Sequence, residues 1–165
     1  MSPAAIELHV TYDLFNEQPC DIDVHHDIET ERAFLPVSHT VKDTLLLTDA
    51  GHFDLNHFEK VAQDSGYFWV RANKNINPIV TSAYCAGIEV KEKNIKLKAL
   101  LDKFESQPVE LTTRWKKSGS EYRLIYLPDA KRPVFLITSL KEAQFNFDEL
   151  LYIYEVCWQI ELFFK

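Results

Sequence analysis

Two acidic residues in this chain occupy positions where a carboxylate could do chemistry. Asp49 follows the apolar run 44–48 and precedes Ala50 and Gly51. The run is short and does not alternate, which predicts a strand buried on both faces. An Asp at the carboxyl end of such a strand, just before a loop, sits where α/β sheets place their ligands. An Asp before Gly is also a common turn former. Glu161 lies in residues 147–165, a stretch without Gly or Pro. On a helical wheel of about 100° per residue, Asp148, Glu155 and Gln159 share one polar stripe, and Glu161 projects roughly 120° or more away from it, near Leu150, Tyr154 and Cys157. An unpaired carboxylate in an apolar setting costs several kcal/mol. Glu161 therefore either pairs with Lys165, one turn on, or is aimed into an active or metal site. A third group, His25, His26 and Asp27, also suggests a metal. Adjacent strand residues point to opposite faces, so these three read as a surface strand end.

The elements that must position these groups follow from periodicity. Residues 5–14 alternate, with Ile6, Leu8, Val10 and Tyr12 on one face, as in a half-buried strand. Residues 16–19 form a turn, and 20–24 alternate again and should pair back as a hairpin. Residues 29–34 are a short helix candidate ended before Pro36. Residues 54–64 predict an amphipathic helix capped by Asp54, with Leu55, Phe58, Val61 and Ala62 facing the core and Gly66 ending it. Residues 67–70 are a buried strand, so the region reads strand–Asp–helix–strand, a βαβ unit with a right-handed crossover. Beyond a polar loop at 73–77, residues 94–105 predict a short basic helix. Residues 109–116 and 121–127 predict strands around a turn, and 133–138 a further strand. Residues 147–165 predict a helix with Asn146 as its cap, Asp148 and Glu149 at its positive end, and apolar residues on most sides.

Composition narrows the function classes. A chain of 165 residues with 46% hydrophobic and 13% aromatic residues is long enough for one domain with a real core. Gly numbers only four, and no phosphate-loop motif occurs. The start lacks the pattern of a signal peptide, and no apolar run approaches the roughly 18 residues of a membrane span. Cys20, Cys85 and Cys157 are odd in number and far apart, which fits a reducing cytoplasm rather than a disulfide or cysteine–zinc framework. The net charge of −7 is segregated: residues 1–70 hold three Lys/Arg against thirteen Asp/Glu, 71–133 hold thirteen against seven, and 134–165 hold two against five. Arg114, Trp115, Lys116, Lys117 and Arg123 fall on one basic hairpin with aromatics. Such a middle is either a surface that grips DNA beside a carboxylate core or a solvated face of no further meaning.

Tyr154, the run 158–161 and the run 163–165 resemble a signature of bacterial insertion-sequence transposases of the DDE type. In that signature an Arg stands three residues after a Tyr, a Glu four further and a Lys seven beyond. Tyr154 and Glu161 match; Cys157 stands at the Arg position, and Lys165 is out of register for the Lys. Residues 46–53 and 66–71 resemble the family's second acidic motif, Asp-Arg-Gly-Tyr-Phe, and the strand after it. Asp49 takes the acidic position, Ala50 replaces the Arg and His52 the Tyr. The resemblance implies a ribonuclease-H-like α/β fold, with a mixed sheet and a mostly β insertion before the C-terminal helix. It divides the chain into a partial core (1–71), the basic insertion (72–138) and the helix with the third acidic residue (139–165). It implies cutting and joining of DNA by two-metal phosphoryl transfer, with Mg²⁺ or Mn²⁺ suited to the hard oxygen ligands. Asp49 and Glu161 would be catalytic and metal-binding. Tyr154, Arg114, Lys116, Lys117 and Arg123 would contact double-stranded DNA at the transposon ends. His52 would be a neighbour of the site rather than an assigned ligand.

In the family the first acidic residue ends a central strand upstream of the hairpin at 5–24, and only residues 1–4 precede that hairpin here. The expectation is a transposase chain without its first core strand, inactive by itself. It would close the gap by pairing the hairpin with 44–48, or by pairing two copies edge to edge as an oligomer. Two readings of other classes stay open: a non-catalytic DNA-binding or repressor fragment, and an unrelated metal-dependent hydrolase using Asp49, His52 and Glu161.

Overall fold

The computed structural model describes residues 6–13, 16–26, 30–85, 88–89, 93–104, 107–115, 119–128 and 132–163, with side chains in the last helix described as far as Val156. The chain forms two compact units, Met1–Pro36 and Val37–Lys165.

In the first unit, β1 (Ile6–Asp13) and β2 (Gln18–His26) make an antiparallel hairpin with a bulge between Thr11 and Tyr12. Leu8 pairs with Val24 and Val10 with Ile22, so the apolar positions of both strands share a face, as the alternation requires. On that face Val10 and Tyr12 of β1 are half-buried, as expected of that strand, whereas Ile22 and Val24 of β2 are exposed. On the opposite face His9 stacks on Phe34, and His25 lies tilted against the same ring. Phe34 closes a single 3-10 turn, Glu31–Phe34. Within this unit β1 and β2 make a two-stranded sheet of their own.

The second unit contains β3 (Leu45–Thr48), α1 (Leu55–Gln63), β4 (Tyr67–Ala72), β5 (Ile79–Cys85), β6 (Ile88–Glu89), β7 (Ile95–Lys96), α2 (Leu97–Leu100), β8 (Val109–Arg114), β9 (Glu121–Leu127), β10 (Val134–Thr138) and α3 (Phe147–Phe163). Its eight-stranded sheet runs β3-β4-β10-β9-β8-β5-β6, with β7 also paired to β5. β3 and β4 are parallel, and the other described pairings are antiparallel. The fold is therefore α/β with a mixed sheet, as expected. No helix among the described residues is long and apolar enough to cross a membrane.

The two faces of the sheet carry different helices. Phe58 of α1 packs on Phe68 of β4, ring centroids 5.2 Å apart. The side chains one residue out of phase face the other way. There Trp69, Ile125, Leu136 and Leu140 form a buried cluster with Leu150 of α3.

Four local expectations are corrected. β3 is half-buried along its length rather than buried on both faces, because among the described residues β4 is its only neighbour and it ends the sheet. The helix over 94–105 shrinks to the single turn of α2 and a following 3-10 turn, because Ile95 and Lys96 are drawn into pairing with β5. β5 itself was not anticipated. The residue that turns left-handed after α1 is Ser65, at φ 66°, not Gly66. Gly66 is needed for space instead: a Cβ there would lie 2.7 Å from the Val41 carbonyl oxygen and 2.9 Å from Val61 Cγ1.

Candidate active site

Asp49 follows directly on β3, at its carboxyl end, and starts the turn that leads into α1. That helix is capped as the sequence suggested, Asp54 Oδ1 accepting from the Asn56 N–H (3.0 Å). Three donors converge on a single oxygen of Asp49. The Gly51 N–H (3.1 Å), the His52 N–H (3.4 Å) and His52 Nδ1 (2.8 Å) all reach Oδ1. No hydrogen bond to Oδ2 is found among the described residues. The side chain remains 45% exposed. The His52 ring bond, above all, holds the Asp49 carboxyl below its ordinary value, against the opposing effect of partial burial; the charge of His52 and the two amides act in the same direction. Asp49 is thus an ionised carboxylate with one oxygen tied back and the other not.

α3 is set by a cap at its start and by two contacts with the sheet. Its start is a reciprocal capping box: Asn146 Oδ1 accepts from the Glu149 N–H (3.0 Å), and Glu149 Oε2 accepts from the Asn146 N–H (2.7 Å). Leu150 is fully buried in the Trp69 cluster. One turn on, Tyr154 stacks on Trp69. The helix is less enclosed than its composition suggested, since Tyr152 is 67% exposed. Glu161 lies near the end of α3, and its side chain falls outside the described residues, as does any pair with Lys165.

The basic hairpin separates its cations. Lys116 and Lys117 lie outside the described residues. Arg114, at the end of β8, is half-buried and donates from Nη2 to Asn94 Oδ1 (3.2 Å). Arg123 points inward. Its Nε donates to Glu110 Oε1, and its Nη1 to the carbonyl oxygens of Phe145 (2.7 Å) and Leu140 (3.4 Å). Those two carbonyls belong to the loop that enters α3. Sequence reasoning missed this tether, and the only local hint was the Glu at 110 on the neighbouring strand. It also missed the Trp69–Tyr154 stack, for which an aromatic on each element was the sole signal.

The family described as Transposase DDE domain matches residues 3–165. The chain belongs to that family. No curated protein and no solved structure matches it. As a DDE transposase domain, it belongs to enzymes of DNA transposition, which act on DNA and use divalent metal ions. Membership sets aside the unrelated metal hydrolase. The donor chemistry of Asp49 fits such an ion: a hard, ionised oxygen at a strand end, partly open to solvent, with its second oxygen tied by three donors.

Proposed function

We propose that this DDE transposase domain is part of the machinery that cuts and joins transposon-end DNA, and that Asp49 and Glu161 are two of the carboxylates that hold its Mg²⁺ or Mn²⁺ ions. The observation that carries the proposal is the state of Asp49, whose Oδ1 is fully occupied by the 49–52 turn while Oδ2 is left for a ligand. Topology supports the pairing with Glu161. β10 runs antiparallel to β4 and ends at Thr138, opposite Trp69. Ser139 is bonded to Phe68 in both directions. α3 therefore starts near the amino ends of β3 and β4, and we read it as returning towards their carboxyl ends. Tyr154 is level with Trp69, and Trp69 with its partner Leu47. From that level Asp49 lies two residues on, about 7 Å at roughly 3.3 Å per residue. Glu161 lies seven helical residues on, about 10 Å at roughly 1.5 Å per residue. With α3 running back along the sheet, residues 49 and 161 would come to similar heights at one end of it.

The bound ions would supply the charge that activates the attacking oxygen and stabilises the leaving one. The chain's own part is to hold ionised oxygens at fixed positions before the ions arrive, so that no carboxylate must be reoriented during the reaction. Tyr154, on the same helix face as Glu161, would meet the DNA backbone beside them. Arg114, Lys116 and Lys117 would grip phosphates further along. We read residues 1–71 and 139–165 as the catalytic parts and 72–138 as the DNA-gripping part. A non-catalytic DNA-binding role would need only the last of these.

Cleavage of the polypeptide by Fe²⁺-generated radicals tests the shared site. With Fe²⁺ bound, cuts are expected both near 49–52 and near 158–163, competed by Mn²⁺. Asp49→Asn or Glu161→Gln should each remove both sets of cuts. If either substitution removes only the cuts in its own segment, the two carboxylates do not share an ion and the proposal fails.

A further inference from the structure

We infer that His52 is a positioning residue for Asp49, fixing the orientation of its carboxylate so that one oxygen is tied into the turn and the other is presented to a cation. The inference rests on the reading of Asp49 as a metal-binding carboxylate. Of the three bonds on Oδ1, two come from backbone N–H groups, which almost any residue at 51 and 52 would supply. The third and shortest, from His52 Nδ1 at 2.8 Å, is the one that the side chain at 52 decides. The His52 side chain is 26% exposed and that of Asp49 45%, so the bond forms at the edge of the fold with the carboxylate still reached by solvent.

The physical argument concerns χ2 of Asp49. A carboxylate has a broad χ2 preference, so its plane turns easily. Two backbone N–H donors on one oxygen restrain that turn only in part. With a ring bond to the same oxygen, turning the plane strains three bonds together. The carboxylate is then ordered before a cation arrives, and less ordering remains to be done on binding. Groups that orient a ligating side chain in this way commonly change metal affinity about 10–100-fold. The bond needs only a proton on Nδ1, so it is made whether the ring carries one proton or two. The family motif that this region resembles has Tyr at position 52, so the device belongs to this chain.

The test is Mn²⁺ binding to the purified chain without DNA, by calorimetric titration at one fixed pH, alongside thermal midpoints. The variants are His52→Ala, His52→Gln, His52→Asn and Asp49→Asn. Asn carries its amide nitrogen where His carries Nδ1, whereas Gln carries it one bond further out. The expected result is a loss of affinity of about 10–100-fold in His52→Ala and His52→Gln, with recovery to within about threefold of wild type in His52→Asn. Wild-type affinity in both His52→Ala and His52→Gln overturns the inference, as does His52→Asn binding as weakly as His52→Ala. If His52→Ala lowers the midpoint by unfolding the turn, His52→Gln and His52→Asn still decide. Asp49→Asn separates the two claims. Should it bind Mn²⁺ like wild type, or should the wild-type chain bind none, the reading of Asp49 itself fails. Loss in Asp49→Asn with no loss in the two His52 variants sinks only the role of His52.

Discussion

The indole of Trp69 and the phenol of Tyr154 lie face to face, with ring centroids 5.7 Å apart and planes within 17° of parallel. The stack joins β4 to α3 at the strand position paired with Leu47, two residues before Asp49. It therefore ties the helix that carries Glu161 to the strand paired with β3, which leads into Asp49. Trp69 Nε1 is buried without a hydrogen-bond partner among the described residues, so the indole is held by packing rather than by its polar edge. We expect Trp69→Ala to cost about 3–5 kcal/mol in urea unfolding. A double-mutant cycle with Tyr154→Ala should return a coupling of about 0.5–1.5 kcal/mol. Strict additivity of the two substitutions would mean that the rings do not fix the helix on the strand.

Arg123 and Glu110 form an ion pair whose side chains are only 11% and 20% exposed. At that burial the cost of breaking the pair is set by the charge left behind, not by the pair's net attraction. We expect Glu110→Ala to destabilise the domain by about 3–5 kcal/mol. Arg123→Ala should behave as a folding variant and leave the salt dependence of DNA binding unchanged. By contrast Arg114→Ala, Lys116→Ala and Lys117→Ala should each lower the slope of log affinity against log salt by about 0.9, if each touches one phosphate. A full unit of slope lost in Arg123→Ala, with normal stability, would show that this guanidinium faces DNA after all.

The pH dependence of stability carries the signature of Asp49. Its carboxyl is held below the ordinary 3.8 by the His52 hydrogen bond. A carboxyl depressed on folding stabilises the native state above its unfolded value, and the benefit fades as pH falls through the folded one. Wild type should therefore exceed Asp49→Asn in urea midpoint at pH 6. The gap should hold down to about pH 5 and shrink from there towards pH 3. A gap that stays constant across that range would show that the Asp49 charge is not engaged in the folded protein.

Several features were legible in the sequence because their causes are local. The alternation of residues 6–12 and 20–24 sets the hairpin face. Asp54 and the pair Asn146 and Glu149 mark helix starts with bonds that span three residues or fewer. The position of Asp49 after an apolar run before Gly51 was enough to put a carboxylate at a strand end. Other features depended on partners far along the chain. Arg123 reads as a surface cation beside Lys116 and Lys117, and is turned inward only because Glu110 and the carbonyls of Leu140 and Phe145 converge on it. β5 escapes notice because its strand character comes from pairing with β8 rather than from its own alternation. The half-burial of β3 follows from its rank at the end of the sheet, which no property of Leu45, Leu46 or Leu47 encodes. Local periodicity and capping fix which segments become strands and helices. Which face meets which, and which charges are thereby taken out of water, is decided by contacts between segments, and those form only when the sheet assembles.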